Sequence, residues 1–598
     1  MNRLPRSLTE RANRFAAVLI LTATICMSSH PLATAADRTG KPVPIPPVAS
    51  IAQSDFGMAA TGSPEATEAA VQVLEKGGNA IDAAVAAALM LGVSDPDASG
   101  LGGMTHMVIH LADGRTLVLD GTAPTPLGVD PDRLQELKEA EDLFGYALVA
   151  VPTTLAVLDS ARSRFGTMDM PTLLAPSIEV AERGYRVSPI QIVWTNVYYE
   201  HILTTEYLRF IAMEDGATIA QPGDIVCRPD LARTLRHIAR YGVSSFYRGH
   251  IADLIEADMI KGGGFVRKSD LVRLRVRETY PLHTTYRGTE VFTVRPPGGG
   301  TPVIEALNIL ETFPSDFLAE DTVERHHALI ETIRIALADR GLAPQGPFQM
   351  RPDSSPALSK DHARRRAELI LPGKVIADSD LRAPVDPECV RTGESTTQVS
   401  IADRWGNVVS LTQTLGRSYG AEAVTPDLGF PFNSLLEGFN FDKPHCPGYL
   451  QPSVPCSNDM APTIVLAADG SLLAALGAPS SNRISSIIIN VISNLVDRKM
   501  GLEEAIEAPR VLYGGFGPDR KPSVEILDPI TDADVDTLEA MGYTSIERYL
   551  YPPVSRRCVL FGGVNVVGWD ADSMTFVGVG DSRRWGSAMG PRVVPVRE

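Results

Sequence analysis

Glu394-Ser395-Thr396-Thr397-Gln398-Val399-Ser400 is the stretch that decides the fold. Two threonines stand where an alternating strand begins. A threonine hydroxyl is a weak nucleophile at neutral pH and needs a base beside it. Breaking the Ser395–Thr396 bond would give Thr396 a free α-amine. Such an amine has an ordinary pKa of about 7.7–8.0, so a useful fraction is neutral near pH 7 and can take the hydroxyl proton. Nucleophile and base then share one residue. The competing reading is a plain strand edge, and the flanking sequence has to decide between them.

Downstream, Thr397–Asp403 alternates, Arg404-Trp405-Gly406-Asn407 turns, and Val408–Leu415 alternates again. This is a hairpin signal. With Asp403 opposite Val408, Thr397 falls opposite Thr414 and the Thr414 hydroxyl becomes a neighbour of Thr396. Upstream, Pro64-Glu65-Ala66-Thr67-Glu68 opens a helix that runs to Lys76, and Gly77-Gly78-Asn79 ends it and starts the next. Ile81–Met90 is almost free of polar residues, so that helix is expected to be buried on most sides. Met107–Leu111 and Thr116–Asp120 read as a second hairpin, and Met460–Leu466 with Leu472–Gly477 as another strand pair. Helices are expected at Ile484–Lys499 and Leu502–Ala508. Helix pairs flanking several hairpins suggest stacked sheets between helical layers, an α+β arrangement.

The chain has 598 residues, 44% hydrophobic and 21% charged, which is ordinary for a globular protein with sizeable cores. Net charge is −17. Arg3, Arg6, Arg11 and Arg14 against Glu10 make the first 35 residues basic, so the remainder is more acidic still, at about −20. Such a surface argues against nucleic acid as a partner. The arginines, the apolar run Phe15–Ile25 and the small residues Ala33-Thr34-Ala35 read as a cleaved secretory signal over residues 1–35, hence a periplasmic or extracellular protein. Residues 36–54 read as a Pro-rich, patternless leader. No Cys or His spacing suggests a metal site, and no cofactor is expected. Cys446 and Cys456 bracket a Pro-rich loop, which they would staple as a disulfide or leave as two thiols.

These segments resemble the γ-glutamyltransferase (glutathione hydrolase) family of N-terminal-nucleophile hydrolases. The likeness rests on Gly57-Met58, Gly77-Gly78-Asn79-Ala80-Ile81-Asp82-Ala83-Ala84, Ser99-Gly100-Leu101-Gly102-Gly103 and Pro296-Pro297-Gly298-Gly299-Gly300. It continues at Glu394-Ser395-Thr396-Thr397, Gly406–Thr414, Ala461-Pro462-Thr463 and Gly477-Ala478-Pro479. The resemblance implies a four-layer αββα sandwich and a precursor that cleaves itself. The junction would be Ser395–Thr396, giving a large subunit 55–395 and a small catalytic subunit 396–598 that stay associated. It implies Thr396 as nucleophile, Thr414 as its supporting hydroxyl, and the backbone N–H groups of Ser480 and Ser481 as the oxyanion hole, where the family has glycines.

The substrate pocket departs from the pattern. The family holds the α-carboxylate of glutamate with an arginine in a Gly-Arg-Glu-Thr-Ala-Pro-like stretch, but this chain reads Asp120-Gly121-Thr122-Ala123-Pro124. An expected asparagine is Gly416, a glutamine position is Leu435, and the amine-binding acid is Gly438. A serine pair becomes Asn458-Asp459, while Asn433 is kept. Arg417 or Arg483 is a candidate replacement cation, although each reads by default as a solvated surface arginine. Asn433, Asn458 and Asp459 are candidate polar contacts, and His106 reads as a strand-edge histidine. The expectation is an exported N-terminal-threonine amidohydrolase or acyltransferase that acts on a small-molecule amide. Water or an amine would be its acceptor, and its acyl donor would have diverged from glutathione. The alternatives are γ-glutamyl transfer through a rebuilt glutamate site, or a noncatalytic binding protein that retains the fold.

Overall fold

The computed structural model describes residues 50–140, 142–197, 218–340, 355–381, 395–444, 448–513, 522–526, 531–543, 547–550 and 561–592. Two antiparallel sheets of seven strands form its centre. In the first, the order is Ile51–Ser54, Thr575–Gly580, Asn565–Asp570, Leu472–Gly477, Thr463–Leu466, Thr289–Thr293, Leu282–Tyr286. In the second it is Ser587–Met589, Gly57–Thr61, Ser395–Asp403, Val408–Gly416, Met104–His110, Thr116–Gly121, Arg277–Thr279.

Successive side chains of a strand point to opposite faces, and each sheet is covered on both sides. Between the sheets, Met58, Ala60, Val108, Val118 and Ala402 pack with Ile464, Leu466, Ala475 and Val567. On the outer face of the second sheet, Val399, Ile401, Val409 and Leu411 pack against the helices Pro64–Glu75, Ala80–Ser94 and Thr154–Phe165. On the outer face of the first, Val291, Val465, Leu476 and Val566 meet Gly300–Leu310, Val323–Asp339 and Ile484–Val496. Three apolar cores between four layers make an αββα sandwich.

Ala80–Ser94 is buried along its whole length, as its composition requires. Asn79 and Asp82 close a capping box at its start. Asp403 reaches across from the central hairpin to accept the Ala80 N–H at 2.9 Å, so the helix start and the hairpin turn are tied together.

Two details differ from the sequence expectation. Ile51–Ser54, the end of the expected leader, is an edge strand paired with Thr575–Gly580. The central hairpin is out by one residue, since Ala402 and not Asp403 faces Val408, and Thr397 faces Gln413. Asp403 is drawn into the turn, where its carboxylate accepts the N–H groups of Trp405 and Asn407 and its own N–H donates to the Asn407 carbonyl. Of the two cysteines left open as a disulfide or two thiols, Cys456 is a free, fully buried thiol whose pKa burial pushes up, and Cys446 lies outside the described residues, as does the signal segment.

Asp581 anchors the C-terminal strands. Its carboxylate lies between Arg510 at 2.8 Å and Arg583 at 3.2 Å, with all three side chains buried. Burial alone would raise its pKa, but the two guanidinium charges overcome that and pull it down to about 2. A depressed carboxylate contributes stability that is present above its unfolded pKa near 4 and lost as pH falls through about 2. Asp581→Asn should cost about 3–5 kcal/mol, because it leaves two buried arginines unmatched. Thermal melting at pH 7 checks this, and the deficit of the variant should shrink as the pH is lowered through 4 towards 2.

Candidate active site

Thr396 stands at the head of a central strand, flanked by Gly57–Thr61 on one side and Val408–Gly416 on the other. The register slips between Ser395, which faces Gly416, and Thr397, which faces Gln413. This bulge is a device that re-aims one side chain where a ladder ends. The Thr396 hydroxyl donates to the Thr414 hydroxyl at 3.3 Å, and Thr414 Oγ1 accepts the Gly416 N–H at 2.9 Å. Thr396 is 6% exposed.

Two residues on, Gln398 faces the other sheet. Its Nε2 donates to Ser400 Oγ at 3.1 Å and Ser410 Oγ at 3.0 Å, and its Oε1 accepts from Thr412 Oγ1 at 2.6 Å. Ser410 donates onward to the Leu476 carbonyl and Ser400 to the Asn565 carbonyl, each at 2.8 Å, so the network bolts the two sheets together. A Cβ on Gly477 would sit 2.1 Å from Gln398 Oε1, so only glycine allows this approach. The chain then runs through Ala478 and Pro479 to Ser480 and Ser481, which adopt left-handed φ of 106° and 55°. That is glycine-favoured backbone held by serines. Pro479 lines the same cleft as Thr396, which brings this turn to Thr396. Neither Ser480 nor Ser481 gives its N–H to a backbone carbonyl among the described residues.

The cleft also holds Asp95, Asp97, Asn565 and Arg584, residues that the sequence reading missed. Burial and then the Asp97 charge push Asp95 well above the usual carboxylate range, against the Thr397 hydroxyl and Arg584. Burial lifts Asp97 to about 6. One signal was present: Asp95-Pro96-Asp97 follows the C-terminus of Ala80–Ser94, where the helix dipole disfavours acids.

The expected substrate contacts are placed less simply. Arg417 and Arg483 are not surface arginines, at 8% and 2% exposed. Arg417 pairs with Glu437 at 2.8 Å and lies over the Phe144 ring at 4.5 Å. Arg483 closes the short turn Ser481–Arg483 beneath the helix at Ile484. Asn433 cannot serve substrate: its Nδ2 donates to the Gly102 and Ala150 carbonyls, and its Oδ1 accepts from the Ala150 and Leu435 N–H groups. Asp459 pairs with Arg340, which also donates to the Asn458 carbonyl at 2.7 Å. Asn458 Oδ1 accepts the Met460 N–H. Leu435 packs close to Gly416, beside Thr414. His106 is not at a sheet edge, because its strand lies between Val408–Gly416 and Thr116–Gly121. Burial lowers its pKa against the pull of Asp120, whose Oδ1 is 3.5 Å away. Among the described residues, Glu305, Asp339 and His362 converge closely enough to share a cation, but Asp339 is already paired with Arg366 at 2.8 Å.

An αββα sandwich with a hydroxyl residue heading a central strand, supported by a second hydroxyl, defines the N-terminal-nucleophile hydrolase class. The family model described as Gamma-glutamyltranspeptidase matches residues 66–591, and the chain belongs to that family. It is similar to a glutathione hydrolase proenzyme of Pseudomonas sp. (strain A14), 32% identical over 550 residues, covering 89% of this chain and 93% of the other. An acylase ACY 1 proenzyme of Pseudomonas sp. (strain V22) is also 32% identical, over 556 residues, covering 89% and 94%. Among solved structures, cephalosporin acylase from Bacillus halodurans superposes with a TM-score of 0.78 at 25% identity, covering 92% of this chain and 98% of that one. The chain is therefore an enzyme of a family of hydrolases and acyltransferases.

Two substitutions test the turn beside Thr396. Among the described residues the buried Ser481 hydroxyl has no hydrogen-bond partner, and the φ of Ser481 is positive. Ser481→Gly should therefore stabilise the protein by about 1 kcal/mol. Gly477→Ala should destabilise it by about 1–3 kcal/mol, because its Cβ would collide with an anchored Gln398. Opposite shifts in melting temperature are expected; a fall with Ser481→Gly would mean that the turn is not strained.

Proposed function

We propose that the chain is an exported precursor that cuts itself at Ser395–Thr396 and then hydrolyses or transfers the acyl group of a small amide through Thr396. The Thr396 hydroxyl attacks the carbonyl. Its α-amine takes the hydroxyl proton and passes it to the departing nitrogen, leaving an ester that water or an amine resolves. Thr414 orients the hydroxyl, and the Ser480 and Ser481 N–H groups face the charge that develops on the carbonyl oxygen. The observation that carries this reading is the Thr396–Thr414 contact at a bulge, in a cleft shared with Pro479 of the turn in which Ser480 and Ser481 have positive φ.

The surroundings on the Val408–Gly416 side favour an acyl group without the zwitterion of glutamate. Leu435 supplies an apolar wall, and the charges of Arg417 and Asp459 are already matched by Glu437 and Arg340. A γ-glutamyl group would bury two charges there without partners, at a cost of about 1.5–3 kcal/mol each. The acylase relative is in keeping with this, while the glutathione hydrolase relative keeps the rebuilt glutamate site as the rival. Both sheets interleave strands from before and after residue 395, so the two products would stay associated after cleavage.

Maturation is read by N-terminal sequencing of the purified protein. Two chains, residues 36–395 and 396–598, are expected, and Thr396→Ala should leave a folded, uncut chain. A small chain that begins at Thr397 would refute the assignment. For specificity, kcat/KM for a γ-glutamyl anilide should lie at least about a hundredfold below that of the anilide lacking the α-amino and α-carboxylate groups. A preference for the γ-glutamyl compound that disappears in Arg417→Ala would establish the rival reading.

A further inference from the structure

Residues 228–277 carry eleven lysines and arginines against five acids, in a chain whose net charge is −17. They include four packed helices, Pro229–Tyr241, Ser244–Tyr247, His250–Lys261 and Lys268–Arg273, which share the apolar core on the outer side of the second sheet. Pro229–Tyr241 is divided lengthwise. Leu231, Ala232, Leu235 and Ile238 enter the core, while Arg233, Arg236 and Arg240 stand exposed at three- and four-residue spacing, with half-buried His237 among them. The His237 ring lies 4.6 Å from that of Tyr241 and 5.7 Å from that of His250, and the Arg240 guanidinium lies over Tyr241 at 5.2 Å. Arg248 is exposed two residues before His250. The end of one helix and the start of another therefore meet in a single patch of cations and aromatic rings.

The fate of its charges sets this patch apart. Elsewhere on the surface, exposed Arg115, Arg133 and Arg364 pair with Asp113, Glu136 and Asp361. Within the patch Arg233 and Arg236 are matched by Asp230 and Glu182. Among the described residues, however, exposed Arg240, Arg248, Lys261 and Arg273 have no carboxylate partner. Apolar side chains stand out beside them: Tyr241 is 56% exposed, and Ile260, next to Lys261, is 59% exposed. Unmatched cations among exposed aromatic and aliphatic side chains suit a surface that offers both negative charge and an apolar layer, which a soluble polyanion does not.

We propose that this face docks on a membrane with anionic headgroups. The headgroup phosphates meet Arg240, Arg248 and Lys261, and Tyr241 and Ile260 enter the interfacial layer. Each cation brought to such a surface is worth about fivefold in partitioning, and the attraction fades within a Debye length as salt is added. The contact is non-covalent and does not depend on the role of Thr396.

In the test, matured protein, from which the basic residues 1–35 have been removed, is sedimented with lipid vesicles. Wild type should sediment with equal parts of phosphatidylglycerol and phosphatidylcholine in low salt, be released as salt is raised, and stay in solution with phosphatidylcholine alone. Arg240→Glu combined with Arg248→Glu should lower partitioning at least about tenfold, with an unchanged melting temperature. Lys374→Glu combined with Lys499→Glu makes the same change of net charge at exposed residues beside the core of the first sheet, and should partition as wild type does. Tyr241→Ser should weaken vesicle binding and leave retention on heparin unchanged. No binding to the anionic vesicles, equal binding by wild type and the Arg240/Arg248 variant, or an equal loss in the Lys374/Lys499 variant would overturn the proposal. Retention on heparin without binding to vesicles would also overturn it, and would assign the face to an anionic polymer.

Discussion

The Gln398 carboxamide lying against Gly477 is the contact on which the site depends. Apolar packing between two sheets is non-directional and would tolerate small slips of one over the other. Hydrogen bonds from Gln398 to Ser410 and from Thr412 to Gln398, extended to Leu476 and Asn565 of the facing sheet, have one register only. That register sets where the Gly477–Ser481 segment passes over the head of the Thr396 strand. The polar residues at 396, 398, 400, 410, 412 and 414 occupy alternate positions, as expected for one face of a hairpin. A buried network of this kind is worth having only when its members are satisfied.

In the second sheet, the hairpin Ser395–Gly416 lies between Gly57–Thr61 and Met104–His110. In the first, Thr463–Leu466 pairs with Thr289–Thr293, and Ile51–Ser54 with Thr575–Gly580. Both sheets therefore combine strands from before and after residue 395, and neither half has a complete sheet of its own. The proposed cut at Ser395–Thr396 would fit this topology once the whole chain has folded. The same interleaving brings the distant Asp95 and Arg584 into one cleft.

Much of this was legible in the sequence. The alternation around residues 397–415 marked the central hairpin, the apolar run from Ile81 to Met90 marked the buried helix, and Thr396 and Thr414 were paired from spacing. The register was out by one because Asp403 hydrogen-bonds into its own turn, a local choice that alternation does not reveal. The burial of Arg417 was not legible, since it depends on Glu437 and Phe144 brought in by the fold. Asn433 looked like a substrate contact because its type was right, yet four backbone bonds use up its amide. Asp95 and Asp97 left a faint trace as acids at a helix C-terminus, whereas Arg584 left none that sequence reasoning could use.

The role of Thr396 is tested most directly by trapping the acyl-enzyme. Matured protein is mixed with a slowly deacylating amide or ester, quenched in acid, digested, and analysed by mass spectrometry. The acyl mass should appear once per small chain, as an ester on the peptide that begins at Thr396. An adduct on Thr397, Thr414, Ser480 or Ser481, or steady turnover with no adduct under any quench, would contradict the assignment.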